Sequence, residues 1–211
     1  MLTALGLTGT LAAALVASPA PALSPAEVLA RRVEARHRQV RDLTARFVQT
    51  YRSGAIGREL VEKGVLSLKP PTRMRWDYLS PEKKTFVSDG RTSYFYVPED
   101  RQVIRREQRD ARDLPSMLLS GQADILATFE AALEPGPPGL QRLRLTPRQP
   151  EPEIEQITVD VEGEGRIRAI LVVDAQGNRS HFAFEAIKEN VGLEDRLFRF
   201  KVPHGVEVIT G

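Results

Sequence analysis

The chain has 211 residues, with 30 Lys and Arg against 28 Asp and Glu, and no cysteine. A net charge of +2 is too weak a field to point to nucleic acid. The lack of cysteine excludes disulfides, thiolate metal sites, cysteine nucleophiles and a lipid anchor on an N-terminal cysteine, so an apolar core must hold the fold.

Residues 1–22 read as a secretory signal peptide. Met1 to Pro25 carries no charged side chain, Leu2 to Ala17 is apolar or small, and Ala20-Pro21-Ala22 offers a cleavage site before Leu23. A membrane anchor is the alternative, but the segment falls short of the ~20 apolar residues that a span needs. Residues 23–211 are then expected to form one soluble domain.

Ser24-Pro25-Ala26-Glu27 has the pattern of a capping box and predicts a helix to about Arg41. Leu29, Val33 and Val40 give it a narrow apolar seam, and His37 is expected on its basic, solvent-facing side. Six short strands follow, at 44–52, 59–69, 73–79, 84–88, 92–97 and 102–106, broken by turn residues such as Pro70-Pro71 and Asp89-Gly90. The third places Met74, Trp76 and Tyr78 on one face, with Arg73, Arg75 and Asp77 on the other. Arg101, Arg105, Arg106, Arg109 and Arg112 then make a basic run, read as a solvated face, with a docking patch for an acidic partner as the lesser reading.

Two short helices interrupt the strands, one from Leu114 to Ser120 behind the cap Asp113, the other from Asp124 through Leu133. Their payload of Leu114, Met117, Leu118, Leu119, Ile125, Leu126, Phe129 and Leu133 is too apolar for a solvated surface, so they must cover something. Strands resume at 140–146, 154–161, 166–174, 179–188 and 206–209. About eleven strands and three helices result. An antiparallel sheet of this size curls, and the helices are expected over its concave side.

Catalytic patterns are missing. His37, His181 and His204 have no metal-ligand spacing, and neither a nucleophile elbow nor a phosphate loop is present. Glu194-Asp195 reads as a turn or helix end, not an acid–base pair. No enzyme activity, cofactor or metal is expected.

The order of several motifs resembles the LolA family of periplasmic lipoprotein carriers. These are Phe47-Val48-Gln49, Gly64-Val65-Leu66-Ser67-Leu68, and Pro71-Thr72-Arg73-Met74-Arg75-Trp76-Asp77-Tyr78 with Pro81. Val87-Ser88-Asp89-Gly90, Tyr94-Phe95-Tyr96, Leu118-Leu119-Ser120-Gly121, Gly177-Asn178, Asn190, Phe198-Arg199-Phe200 and Pro203-His204-Gly205-Val206 complete the set. The resemblance implies a mostly β fold, an unclosed antiparallel β-barrel covered by a lid of three helices. It also implies a hydrophobic cavity that takes the acyl chains of lipoproteins between the inner and the outer membrane. Phe47, Leu66, Leu68, Met74, Trp76 and Tyr78, with Met117, Leu118, Ile125 and Phe129 from the helices, are the expected lining. The alternative is that several of them pack a filled core.

Acylated lipoproteins, an inner-membrane lipoprotein-releasing ABC transporter (LolCDE-like) and an outer-membrane LolB-like receptor are the implied partners, for a monomer in the periplasm. Carriage of another lipid or glycolipid, or an RseB-like stress sensor, are the alternatives. The family often has an Arg before the proline of the turn, where it holds the lid. Aligning Pro71 with that proline puts Pro70 at the Arg position, which leaves Lys69 or Arg73 as lid-contact candidates.

Overall fold

The computed structural model describes residues 22–107, 114–151 and 153–211. Residues 1–21 of the expected signal, Arg109 and Arg112 of the basic run, and the expected cap Asp113 lie outside the described residues.

The first element is α1 (Pro25–His37), and its capping box is formed: Ser24 Oγ accepts from the Glu27 N–H, and Glu27 Oε2 accepts from the Ser24 N–H at 2.7 Å. It stops at His37 and not near Arg41, because residues 38–42 turn to bury Val40 and enter the first strand. Six strands follow as a meander, β1 (Leu43–Arg52), β2 (Glu59–Lys69), β3 (Arg73–Ser80), β4 (Lys84–Ser88), β5 (Thr92–Val97) and β6 (Gln102–Glu107), each antiparallel to the next. The turn at Asp89-Gly90 forms because Asp89 Oδ1 accepts the N–H groups of Arg91 and Thr92 while Gly90 takes a φ of +96°.

Two short helices, α2 (Leu114–Leu119) and α3 (Ile125–Thr128), precede β7 (Phe129–Glu134), β8 (Gln141–Pro147), β9 (Gln156–Glu162), β10 (Arg166–Val173) and β11 (Arg179–Glu189). A 3-10 helix (Asp195–Phe198) and β12 (Glu207–Thr210) end the chain. The twelve strands form one sheet in the order β12-β6-β5-β4-β3-β2-β1-β11-β10-β9-β8-β7. Since β12 and β7 are its two ends, the barrel stays unclosed.

Two expectations are corrected. The third helix ends at Thr128 instead of Leu133, because Phe129–Glu134 pairs along its length with β8, from Phe129 with Pro147 to Glu134 with Arg142. Tertiary pairing overrides the helical preference of its alanines here. The last strand runs parallel, not antiparallel, to its neighbour β6, with Val208 opposite Val103.

The core lies on the concave face. Leu66, Leu68, Met74 and Trp76 from the meander meet Leu143, Leu145, Ile157, Val159 and Ile170 from the second half, under Leu29 and Val33 of α1. Phe47 sits between the halves. Its ring lies over Gly64, where an added Cβ would come within 2.7 Å of it and 2.1 Å of the Asp77 carbonyl oxygen. Only a residue without a side chain leaves room for that ring and for the β2–β3 approach.

The convex face is strapped by residues 190–206. Asp42, itself buried, accepts the N–H groups of Val191 and Gly192 at the start of the strap. Asp195 then pairs with Lys69 and Arg73, Arg75 Nη1 donates to the Leu197 carbonyl, and Phe200 stacks on Tyr94 at 5.2 Å between centroids.

Gly64→Ala is expected to lower the unfolding free energy by about 1–3 kcal/mol through overpacking, read from urea denaturation followed by circular dichroism. A midpoint equal to that of the parent would show that the Phe47–Gly64 contact is not tight.

Candidate functional site

The concave face splits into a covered half and an open half. Under the helices, Phe47 makes edge contacts with Trp76 at 4.9 Å and Tyr78 at 5.0 Å, and Trp76 meets Phe182 at 5.5 Å. The ten expected lining residues share this apolar core. Phe47, Leu66, Leu68, Met74, Trp76, Leu118, Ile125 and Phe129 are at most 6% exposed, while Tyr78 and Met117 are partly buried against them. Most of the set is therefore packed side chain to side chain.

Open space begins where that packing ends. A cleft of about 290 Å³ separates Met74 and Leu68 from Met117 and Ser116 of α2. A second, of about 260 Å³, lies over Trp76, Tyr78, Phe86, Phe95 and Phe182. A third, of about 240 Å³, shares Phe86 and Phe95 and adds Ser93, Ile104 and Arg106. The shared residues make the last two one continuous groove.

Register explains that groove. Trp76 is opposite Phe86, Phe86 opposite Phe95, and Phe95 opposite Ile104, so one apolar residue from each of β3, β4, β5 and β6 forms a stripe across the strands. At ~4.8 Å per strand it is roughly 14 Å long. A polar row flanks it, in which Tyr78 Oη donates to Gln49 at 2.8 Å and Lys84 pairs with the buried Glu62 at 2.6 Å, its Nζ lying 4.5 Å from the Tyr78 ring centre.

Sequence reasoning missed Phe86, Phe95, Ile104 and Phe182. The signal for Phe95 was present in Tyr94-Phe95-Tyr96, because alternation puts Phe95 opposite in direction to its two neighbours. Which face was concave needed the register.

Among the described residues, polar bonds from β3 and α1 fasten the cover. Trp76 Nε1 donates to Ser116 Oγ of α2 at 3.3 Å. Glu34 on α1, 2% exposed, accepts the Ile125 N–H at the start of α3 at 2.8 Å and is flanked by Arg31 and Arg38. His37 is fully buried, not on the solvent side, because it continues the inner stripe of Leu29, Ala30 and Val33 by one more turn. Its Nδ1 donates to the Leu119 carbonyl at 2.9 Å, and its Nε2 accepts from the Ile167 N–H, a pattern that requires the neutral ring. Gly121, at a φ of +68°, brings the α2–α3 turn against the end of α1; an added Cβ there would lie 2.6 Å from the Arg38 nitrogen.

Among the described residues, the bonds of Lys69 and Arg73 go to the strap and not to α1, α2 or α3, although Arg73 also lines the cleft beside α2. Lys69 Nζ donates to the Leu193 carbonyl and to Asp195, and Arg73 pairs with Asp195 at 3.0 Å, all on the strap. Both occupy positions that alternate away from Leu68 and Met74, so their charged ends face the convex side. Lys69 and then Arg73 hold the Asp195 carboxyl below its ordinary range. Glu194 and Asp195 open the 3-10 helix, a structural role.

Among the described residues, no His, Asp or Glu group could hold a metal ion, and no helix is long and apolar enough to cross a membrane. A half-barrel with an apolar concave face, helices over part of it and an aromatic groove beside them defines a carrier of apolar chains. Comparison places it further. Residues 38–201 match the family described as "Outer membrane lipoprotein carrier protein LolA". The chain is 32% identical to the outer-membrane lipoprotein carrier protein of Azotobacter vinelandii, covering 92% of this chain and 96% of that one. It is 30% identical to that of Chromohalobacter salexigens, over 85% and 86% of the two chains. A crystal structure of an uncharacterized conserved protein from Thermus thermophilus has a similar fold, with a TM-score of 0.56 and 15% identity over 89% of this chain and 100% of that one. The chain belongs to the LolA family.

Burial pushes the His37 imidazole below its ordinary value of 6.5, outweighing the upward pulls of the Leu119 carbonyl and Glu189. The folded state therefore favours neutral His37, and the unfolded chain takes up its proton first. This contribution is complete above pH 6.5 and is lost as pH falls from there towards the folded-state value. His181 is also lowered by burial, whereas Glu27, Asp89, Asp174 and Asp195, lowered from 4.5 or less, act at more acid pH. Urea midpoints measured from pH 7 to 5 should fall, and His37→Gln should flatten that fall more than His181→Gln does. An unchanged slope in His37→Gln would show that another group carries the dependence.

Proposed function

We propose that this chain is a periplasmic carrier that receives the acyl chains of lipoproteins on its concave face and takes them from the inner to the outer membrane. The observation that carries this reading is the stripe that runs from the buried Trp76 out to Phe86, Phe95 and Ile104, which are only half-buried. The relatives named outer-membrane lipoprotein carrier proteins support it.

The energetics fit. Each buried CH₂ contributes about 0.8 kcal/mol, so a chain of some sixteen carbons gains about 13 kcal/mol on full burial, enough to hold cargo away from a membrane. The groove made by the clefts of about 260 and 240 Å³ is open on one side, so full burial of a chain requires the cover to move over it. The Trp76–Ser116 bond and the apolar faces of α2 and α3 are what must yield. Such short, marginal elements come from the low-stability end of a fold.

In this scheme residues 1–22 direct export and are removed. An inner-membrane ABC transporter of LolCDE type loads the carrier, and a LolB-like receptor unloads it. The carrier itself performs no chemistry.

Trp76 is too deeply packed to separate binding from folding, so the decisive substitution is Phe95→Asp, at a half-buried position. A carboxylate in the stripe imposes a desolvation cost of several kcal/mol on an entering chain. Release of a lipoprotein from inner-membrane vesicles should fall more than tenfold with the circular dichroism spectrum retained. Normal release by folded Phe95→Asp protein would place the acyl site elsewhere.

A further inference from the structure

The groove is not uniformly apolar along its length. At the β6 end, beyond Ile104, the next residue on the same face is Arg106, and its side chain lines the same cleft as Phe86 and Phe95. Directly across the ladder from Arg106 stands Ser93, 6% exposed, which also lines that cleft. Among the described residues Arg106 has no ion pair, whereas the arginines at 73, 75, 142 and 166 are each held by a carboxylate. Gly211 is near Arg106: a Cβ added there would lie 3.4 Å from Arg106 Nε and 3.7 Å from its Cγ.

A guanidinium with free donors, beside a hydroxyl and at the rim of an apolar groove, matches a planar carboxylate bidentately. Arg106 itself is exposed, so the pairing is that of a rim charge, screened by salt, beside the apolar wall of Phe95 and Ile104. An acyl chain lying along the stripe would place what is attached to it near one end of the stripe, and Arg106 marks the β6 end, opposite Trp76 and the helices.

We propose that Arg106, with Ser93 opposite it, is a specificity site that recognises an acidic side chain in the peptide directly following the acylated end of the cargo. The proposal rests on the acyl-carrier reading. It makes the carrier a discriminator among acylated polypeptides by the charge next to the lipid, at a residue in no contact with the packed core under the lid.

The test uses the chain from Leu23 onwards and three synthetic S-diacylglyceryl cysteinyl peptides that differ only in their following residues, Ser-Glu-Glu, Ser-Gln-Gln or Ser-Lys-Lys. The parent protein should bind the Glu peptide on the order of five- to tenfold more tightly than the Lys peptide, less so at high salt. Arg106→Gln should remove that preference while keeping affinity for the Gln peptide, and Arg106→Glu should invert it. Equal binding of all three peptides by the parent, or a ranking unchanged in Arg106→Glu, would overturn the proposal alone. Failure of every lipopeptide to bind would instead overturn the carrier reading, and this proposal with it. Arg106-dependent displacement of the peptides by phosphatidylglycerol, with no charge preference among the peptides, would assign the anion to a lipid headgroup and overturn the peptide source.

Discussion

The arrangement depends on one contact, the ring of Phe47 lying on the bare backbone of Gly64. Without a Cβ at that point the ring can sink to the sheet, meet Trp76 and Tyr78 edge-on, and fill the centre of the concave surface. The ring is a hub because the aromatic quadrupoles favour these tilted meetings at about 5 Å. Phe182 and Phe184 reach the same cluster through Trp76, so the two halves of the sheet are joined at the strand where the curl is centred.

A single twelve-stranded sheet cannot stay curved on twist alone when its ends do not pair. Support comes from both sides. On the concave side α1 spans β7 to β10, with Glu34 and His37 on its inner stripe bonding to α3 and α2. On the convex side the strap begins at the buried carboxylate of Asp42, is held midway by Asp195 and Phe200, and ends as β12 on the free edge of β6. Lys69 and Arg73 thus serve the strap. The covered half of the sheet is rigidly built, and the β3–β6 half is held from behind while its concave face stays open. A binding groove needs that asymmetry: fixed walls, with one side accessible.

Charge on the concave side follows the same division. Glu34 is neutralised by two arginines and caps a helix, His37 is kept neutral, and Glu62 is paired with Lys84. Each of these buried groups has a structural partner, as the cost of an unpaired buried charge requires. Arg106, by contrast, is exposed and stands at the rim of the groove.

Much of this was legible in the chain itself. Strand positions, the capping box at Ser24, the hairpin at Asp89-Gly90 and the shared face of Met74, Trp76 and Tyr78 follow from local backbone chemistry and a two-residue period, and the structure has them all. The motif order also pointed to the right family. Three things were not legible, because each depends on residues far apart in sequence. Phe129–Glu134 became a strand only because β8 offered it a ladder; His37 became core only because α1 lies across the sheet; Lys69 found its partner only because the strap brings Asp195 to the face it already points to. The open groove is of the same kind. Periodicity marks which side chains share a face of one strand, but the stripe of Trp76, Phe86, Phe95 and Ile104 exists through cross-strand register, and its exposure through where the helices stop. Local sequence sets direction along a strand; only the assembled sheet decides what each direction meets.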